Sequence, residues 1–153
     1  SLPAGTGYAV GTAAYPQTSG EVFTGASDLL AGQELVLSAG SNLVTGSVPA
    51  FAASTAYLES SQWIGKVVSV NAASSSLSMD SLSGLFTGSR PAIQQMEVQA
   101  GASTAFVGFG SASVSAVNEG QFVAAKGPLF NTVSSIGYPT LSTIQLRERA
   151  AGN

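Results

Sequence analysis

Hydrophobic and polar residues alternate along most of this chain in short runs, and Gly, Ser, Asn or Pro interrupts these runs roughly every ten residues. Alternation with a period of two puts successive side chains on opposite faces of a β-strand. The clearest predicted strands are 63–70, 77–79, 96–98, 122–124 and 144–146. The pattern predicts an all-β protein with sheets that bury one face, more than about a third of the residues in strands and about a tenth in helices.

Helical periodicity is nearly absent from the sequence. A short helix is expected around 27–30 or 113–118, and each of these stretches lies just before a Gly-Gln dipeptide. At such a position a helix would cover one end of a barrel.

One part of the sequence recurs at a fixed offset of 88 positions. The run GQELV at 32–36 returns as GQFVA at 120–124, and STAYL at 54–58 returns as STIQL at 142–146. The same offset holds without a gap between these runs. It gives identities at Gly32/Gly120, Gln33/Gln121, Ser47/Ser135, Ser54/Ser142, Thr55/Thr143 and Leu58/Leu146.

A repeated structure predicts that strands at 32–37 and 54–59 superpose on strands at 120–125 and 142–147, with Gly32 and Gly120 in matching turns. The alternative is two unrelated hairpins of similar composition in a Ser-rich chain.

Four short motifs in the second part of the chain resemble a known pattern. They are GKVVSVN at 65–71, STAF at 103–106, GQFVAAKG at 120–127 and LSTIQL at 141–146. This order is similar to that of a bacterial domain family of unknown function, whose members are secreted, tandemly repeated, small β-barrels of OB-like type. The closing motif departs from the family at Leu141, where a small residue is usual. The family carries no known catalytic residue, so the resemblance implies none here.

The resemblance implies two tandem OB-like barrels or sheets. The segment 1–60 would be an abbreviated first unit, because it matches only the second half of the pattern, and 61–153 would be a complete barrel with a C-terminal tail. For the first unit two alternatives remain. Either the stretch 7–15 completes a shortened barrel, or the sheet lacks a strand that something else supplies.

The composition removes most catalytic and metal chemistry. The chain has no His and no Cys, so the commonest general base, thiolate nucleophiles and the usual zinc ligands are missing. Neither S-x-x-K nor G-x-S-x-G occurs, and no two acidic residues lie within three positions of each other. We therefore predict a protein that is not an enzyme, with no catalytic residue, no cofactor and no metal.

The low content of charged residues limits the partners that we expect for this chain. Charged residues make up 8% of the chain, against about 25% in an average domain, and the net charge is −3. Such a composition does not provide the basic stripe that nucleic-acid binding requires, and no apolar run reaches the roughly 18 residues of a membrane-spanning helix. The richness in Ser, Thr, Gly and Ala favours a bacterial extracellular or cell-surface location.

Sparse charge also leaves little repulsion to oppose self-association. We expect a structural protein that forms a homo-oligomer or filament. The apolar, uncharged segment 1–15 is the candidate assembly strand, with Tyr8, Val10 and Tyr15 as the residues that a neighbouring copy would bury. The alternative is that this segment pairs within its own chain.

A second function is kept beside the structural one. OB-type barrels often bind oligosaccharides or oligonucleotides on exposed aromatic side chains. A secreted carbohydrate- or ligand-binding module would use an aromatic face, and its candidate residues are Trp63, Phe106, Phe109 and Phe122.

Overall fold

The protein is all-β, as the alternation predicts. The computed structural model describes residues 2, 4–12, 14–18, 20–44, 50–84, 93–134 and 136–149. Strands take up 53% of the residues and helical turns 5%, so helix is scarcer than expected. The repeated pair Ser47/Ser135 and the C-terminal tail 150–153 lie outside the described residues.

The described strands range in length from three to 22 residues. In chain order the strands are β1 (Gly7–Val10), β2 (Glu34–Val44), β3 (Ala50–Asn71), β4 (Ser76–Gly84), β5 (Met96–Gln99), β6 (Ala105–Val107), β7 (Phe122–Val133), β8 (Pro139–Ser142) and β9 (Gln145–Arg149). Two single-turn 3-10 helices, Ala26–Asp28 and Val114–Ala116, fall where the sequence predicted short helices.

Five strands close into a barrel. β3 pairs with β4, β4 with β5, β5 with β8, β8 with β7, and β7 returns to β3. The β5–β8 pair is parallel and the other four pairs are antiparallel. A five-stranded ring agrees with the OB-like barrel expected in the second part of the chain.

The barrel core follows from alternation along the strands. In β3, Trp63 and Val67 are 1% exposed, whereas the residue before each of them, Gln62 and Lys66, is exposed to solvent. The same core takes side chains from every strand of the ring. Its other buried members are Leu77, Met79, Leu82, Ile93, Met96, Val98, Val117, Val123, Ala125, Leu129, Leu141 and Leu146. Burial of each large side chain contributes about 1.5 to 3 kcal/mol before entropy is counted.

Gly127 lies where β7 changes partners, from β9 to β8. A Cβ atom at this position would come within 2.0 Å of the main-chain oxygen of Ser142. The two strands therefore approach so closely that only glycine fits.

The expected boundary at 60/61 falls inside a single strand. β3 pairs with β2 through Glu59 and with β7 from Ser60 onward. The two units therefore share β3, and no linker separates them. On the N-terminal side, β3 lies between β2, which is antiparallel to it, and β1, which is parallel.

A second, smaller core lies beneath this N-terminal sheet. Its buried members are Phe23, Ala56, Leu58 and Phe130. Because Phe130 belongs to β7, this core fastens the N-terminal sheet to the barrel. Several partly buried side chains complete it, namely Leu2, Tyr8, Val10, Tyr15, Leu29, Leu35 and Leu37.

Candidate functional site: two copies of a repeat

The turns predicted to match do match. Gly32 and Gly120 both have left-handed backbone, with φ of 100° and 84°. In each turn the following Gln accepts a hydrogen bond from the main-chain N–H three residues earlier, at 2.7 Å for Gln33 and 3.1 Å for Gln121. The 3-10 helix before each turn begins at Ala26 in one case and Val114 in the other, again 88 positions apart.

The strands around the two turns are arranged in the same way. β2 follows the first turn and β7 follows the second. β2 is antiparallel to β3, which is also parallel to β1. β7 is antiparallel to β9, which is also parallel to β6. The order strand, 3-10 helix, glycine turn and following strand thus occurs twice, the last three elements at the offset of 88, and we refer to the two stretches as the first and second copies. The first copy continues with β3, whereas the second continues with β8 and β9.

The register between β7 and β9 departs from the offset of 88. Leu35 pairs with Leu58, whereas Val123, its counterpart, pairs with Glu148 rather than Leu146. The pairing in the second copy is thus shifted by two residues relative to the first. A shift of two keeps the alternation, so Leu58 and Leu146 both remain fully buried.

The two copies differ in the strands that lie beside β2 in the first copy and beside β7 in the second. In the second copy, β7 lies between β9 on one side and β3 on the other. In the first copy, β2 pairs with β3 alone among the residues that the structure describes. Within the described ranges, the position that β3 fills beside β7 is thus open beside β2.

The side chains at equivalent positions of β2 and β7 differ in their exposure to solvent. Val123, Ala124 and Ala125 of β7 are all buried, at 0%, 7% and 0%. Their counterparts in β2 are Leu35 and Leu37, which are only partly buried, and Val36, which is 53% exposed. The sequence allowed for a missing strand in the first unit but did not place the unpaired edge at β2, because both stretches are apolar and both are typical of strands.

Hydrogen bonds in β3 show which way the main chain of β2 faces. The carbonyl of Leu58 accepts from Gly11 N–H at 2.9 Å, on the β1 side of β3. Leu35, opposite Leu58, therefore directs its own N–H and C=O away from β3, and so does Leu37 two residues on. Beyond Glu34, β2 has no charged residue and no proline through Val44. Such residues are the usual protection of an exposed edge.

The candidate assembly segment pairs within its own chain. β1 is parallel to β3, with Tyr8 opposite Ala56 and Val10 opposite Leu58. The Tyr8 ring meets Phe23 edge-on at 5.5 Å, and the Tyr15 ring lies 5.7 Å from that of Phe130. The structure therefore has the intrachain arrangement that the sequence left as an alternative.

The environment of Tyr15 perturbs its ionisation. Burial and the charge of Glu21 raise the pKa of the Tyr15 phenol above its ordinary value of 10.0, against a hydrogen bond with Gln17 that lowers it. Glu21 also accepts a hydrogen bond from the Ser142 hydroxyl, at the end of β8. This contact joins the N-terminal segment to the barrel.

The aromatic residues proposed for ligand binding do not form one exposed face. Trp63 is 1% exposed and its indole N–H donates to Ser61 Oγ at 3.0 Å, so its assignment to a binding surface is wrong. Phe106 and Phe109 meet edge-on at 6.0 Å and pack partly buried against the barrel core. Of the four, Phe122 is the exposed one, at 41%.

A shallow groove of about 210 Å³ lies on another face of the barrel, where β3 and β4 meet the segment before β8. Tyr138 and Ile136 line one side of it. The other lining residues are Val68, Ser69, Ser78, Met79 and Gln95. Hydroxyl, amide, aromatic and aliphatic groups therefore meet around one concave surface.

Within the described part of the chain, no three acidic side chains lie together as a metal site would require. The helices found there are too short to cross a membrane. Comparison with protein-family models, with curated proteins and with solved structures returned no match to this chain.

Proposed function

We propose that this chain is a structural protein, without enzymatic activity, that associates with copies of itself outside the cell. The observation that carries the proposal is that β2 pairs with β3 alone in the described part of the chain, whereas β7 has a strand on each side. An unpaired strand edge is a template for another strand.

The surface of the N-terminal sheet also favours association. Val36 and Tyr57 are cross-strand neighbours on its outer face, and they are 53% and 37% exposed. With 8% charged residues and a net charge of −3, two copies have little electrostatic repulsion to overcome. The extracellular location is proposed on composition, because Ser, Thr, Gly and Ala take the place of charged residues.

The test is sedimentation velocity of the purified chain from micromolar to near-millimolar concentration, with electron microscopy of the concentrated sample. The proposal predicts a sedimentation coefficient that rises with concentration. A single monomeric species across the whole range would refute it.

The barrel groove supports a second candidate function, the binding of a carbohydrate. Its hydroxyl and amide groups suit sugar hydroxyls, and Tyr138 offers a ring on which a pyranose could pack. Titration calorimetry with cello-, chito- and manno-oligosaccharides tests it. Tyr138→Ala should abolish any binding, whereas Tyr57→Ala, on the N-terminal sheet, should leave it intact. Absence of binding, or equal binding by both variants, would exclude the groove.

A further inference from the structure

The repeat itself shows what kind of partner fits the open edge of β2. In the second copy, the strand beside β7 is β3, which runs antiparallel to β7 and pairs with it from Phe122 to Pro128. The equivalent stretch of β2 begins at Glu34. The missing neighbour of β2 is therefore an extended antiparallel strand, and not a helix or a loop.

β2 is itself suited to be that strand. From Glu34 to Ala39 it pairs residue by residue with β3, and the one bulge in this stretch, at Ser38/Ala39, lies on the β3 side. A regular strand with an uncharged edge can pair with an identical one, and two identical strands related by a two-fold axis run antiparallel.

The edges of β1 and β6 are less suitable. These two strands are four and three residues long. They occupy the same place in the two copies, each at the end of its row of strands. In the described part of the chain, β1 and β6 thus have an unpaired edge in both copies, whereas the unpaired edge of β2 occurs in the first copy alone.

We propose that the outer edge of β2 binds the outer edge of β2 in a second copy, as an antiparallel pair with its two-fold axis at Leu37. This inference rests on the proposed function and names the surface that performs it. The outward N–H and C=O of Leu37 bond to those of its counterpart, and Leu35 faces Ala39 of the second copy. Glu34 lies opposite Gly40 of the second copy, so the two carboxylates stand at opposite ends of the pair.

The arrangement brings the two Val36 side chains together. Val36 of each copy lies diagonally across from the other on the outer face, about 7 to 8 Å apart by ordinary sheet geometry. This side chain is 53% exposed in the single chain, so a substitution there disturbs little of the fold. Like charges at this position should oppose pairing, and opposite charges should restore it.

The experiment compares Val36→Lys, Val36→Glu and their equimolar mixture with the unaltered chain by sedimentation velocity. Val22→Lys is the matched control, because Val22 is 50% exposed and lies outside the strands. We expect each Val36 variant alone to weaken dimerisation at least tenfold, the mixture to recover it, and Val22→Lys to behave as the unaltered chain. Circular dichroism checks that each variant keeps its strands.

The outcomes separate the inference from the proposed function. If the unaltered chain associates and Val36→Lys associates equally well, the β2 edge is not the interface, although the structural function stands. If both Val36 variants are monomeric but their mixture does not recover, the two-fold arrangement at Leu37 is wrong. If the unaltered chain is monomeric throughout, the proposed function fails and the inference fails with it.

Discussion

Gln33 and Gln121 fold their side chains back onto the main chain in the same way, each accepting a hydrogen bond from the N–H three residues earlier. Their amide nitrogens, however, have different partners. Gln33 Nε2 donates to the carbonyl of Leu129 in β7 at 2.9 Å and to that of Asp28 at 3.1 Å. Gln121 Nε2 donates to the exposed carboxylate of Glu148. The side chain of Gln33 thus joins the first copy to β7 of the barrel. The contact of Gln121 with Glu148, in contrast, lies at the protein surface.

This difference predicts unequal effects for the same substitution. Gln33→Ala leaves the Leu129 carbonyl without its partner, so it should lower the free energy of unfolding by about 1 to 3 kcal/mol. Gln121→Ala loses contacts that water replaces, and should cost less than about 1 kcal/mol. Urea denaturation of both variants provides the comparison. Equal losses would mean that Gln33 does not join the two units.

The close approach at Gly127 gives a second matched pair. Gly127→Ala drives a methyl group into the main chain of Ser142, so it should destabilise the protein by about 2 to 4 kcal/mol. Gly110 has no atom within 4 Å of the position a Cβ would take, and Gly110→Ala should change stability by less than about 0.5 kcal/mol. Thermal unfolding of the two variants checks this. A tolerated Gly127→Ala would contradict the strand crossing described above.

The buried indole gives a spectroscopic prediction. Trp63 is the only tryptophan, and its N–H bonds to Ser61 inside the barrel. Its emission should lie at short wavelength and resist quenching by iodide. Ser61→Ala should leave the indole N–H without a partner and cost about 1 to 3 kcal/mol. Strong iodide quenching in the native protein would show instead that Trp63 is at the surface.

Alkaline pH should reveal Tyr15. Because its pKa is raised in the folded chain, the unfolded chain releases this proton first as pH increases. The stabilisation that comes from the raised pKa of Tyr15 is complete below about pH 10, and it is lost as the pH rises through the pKa of Tyr15 in the folded chain. Absorbance titration at 295 nm should show the ionisation of Tyr15 above its ordinary pKa. Glu21→Gln removes the nearby charge and should move that step to lower pH. No movement would show that Glu21 does not act on Tyr15.

Some of this architecture was accessible from the sequence because it depends on local pattern. Alternation around Trp63 and Val67 determines which face of β3 is buried, and the left-handed turns at Gly32 and Gly120 need glycine. The fixed offset between these two glycines was therefore sufficient to predict that their turns match.

Other features depend on which strands become neighbours, and the sequence does not contain that information locally. Among the residues that the structure describes, the apolar run at 35–37 pairs on one side, whereas 123–125 is covered on both sides by β9 and β3. Trp63 was misjudged for the same reason. An aromatic residue on an alternating strand can face either a ligand or a core, and barrel closure decides which.

In the proposed assembly, a second copy covers β2 as β3 covers β7. Residue-resolved hydrogen exchange at low and high protein concentration tests this claim directly. In the dilute protein, the amides of Leu35 and Leu37 should exchange fast, while those of Val123 and Ala125 should be protected. At high concentration Leu35 and Leu37 should become protected too, with β1 unchanged. If their exchange rates are the same at both concentrations, β2 has no partner in a second copy and the account is wrong.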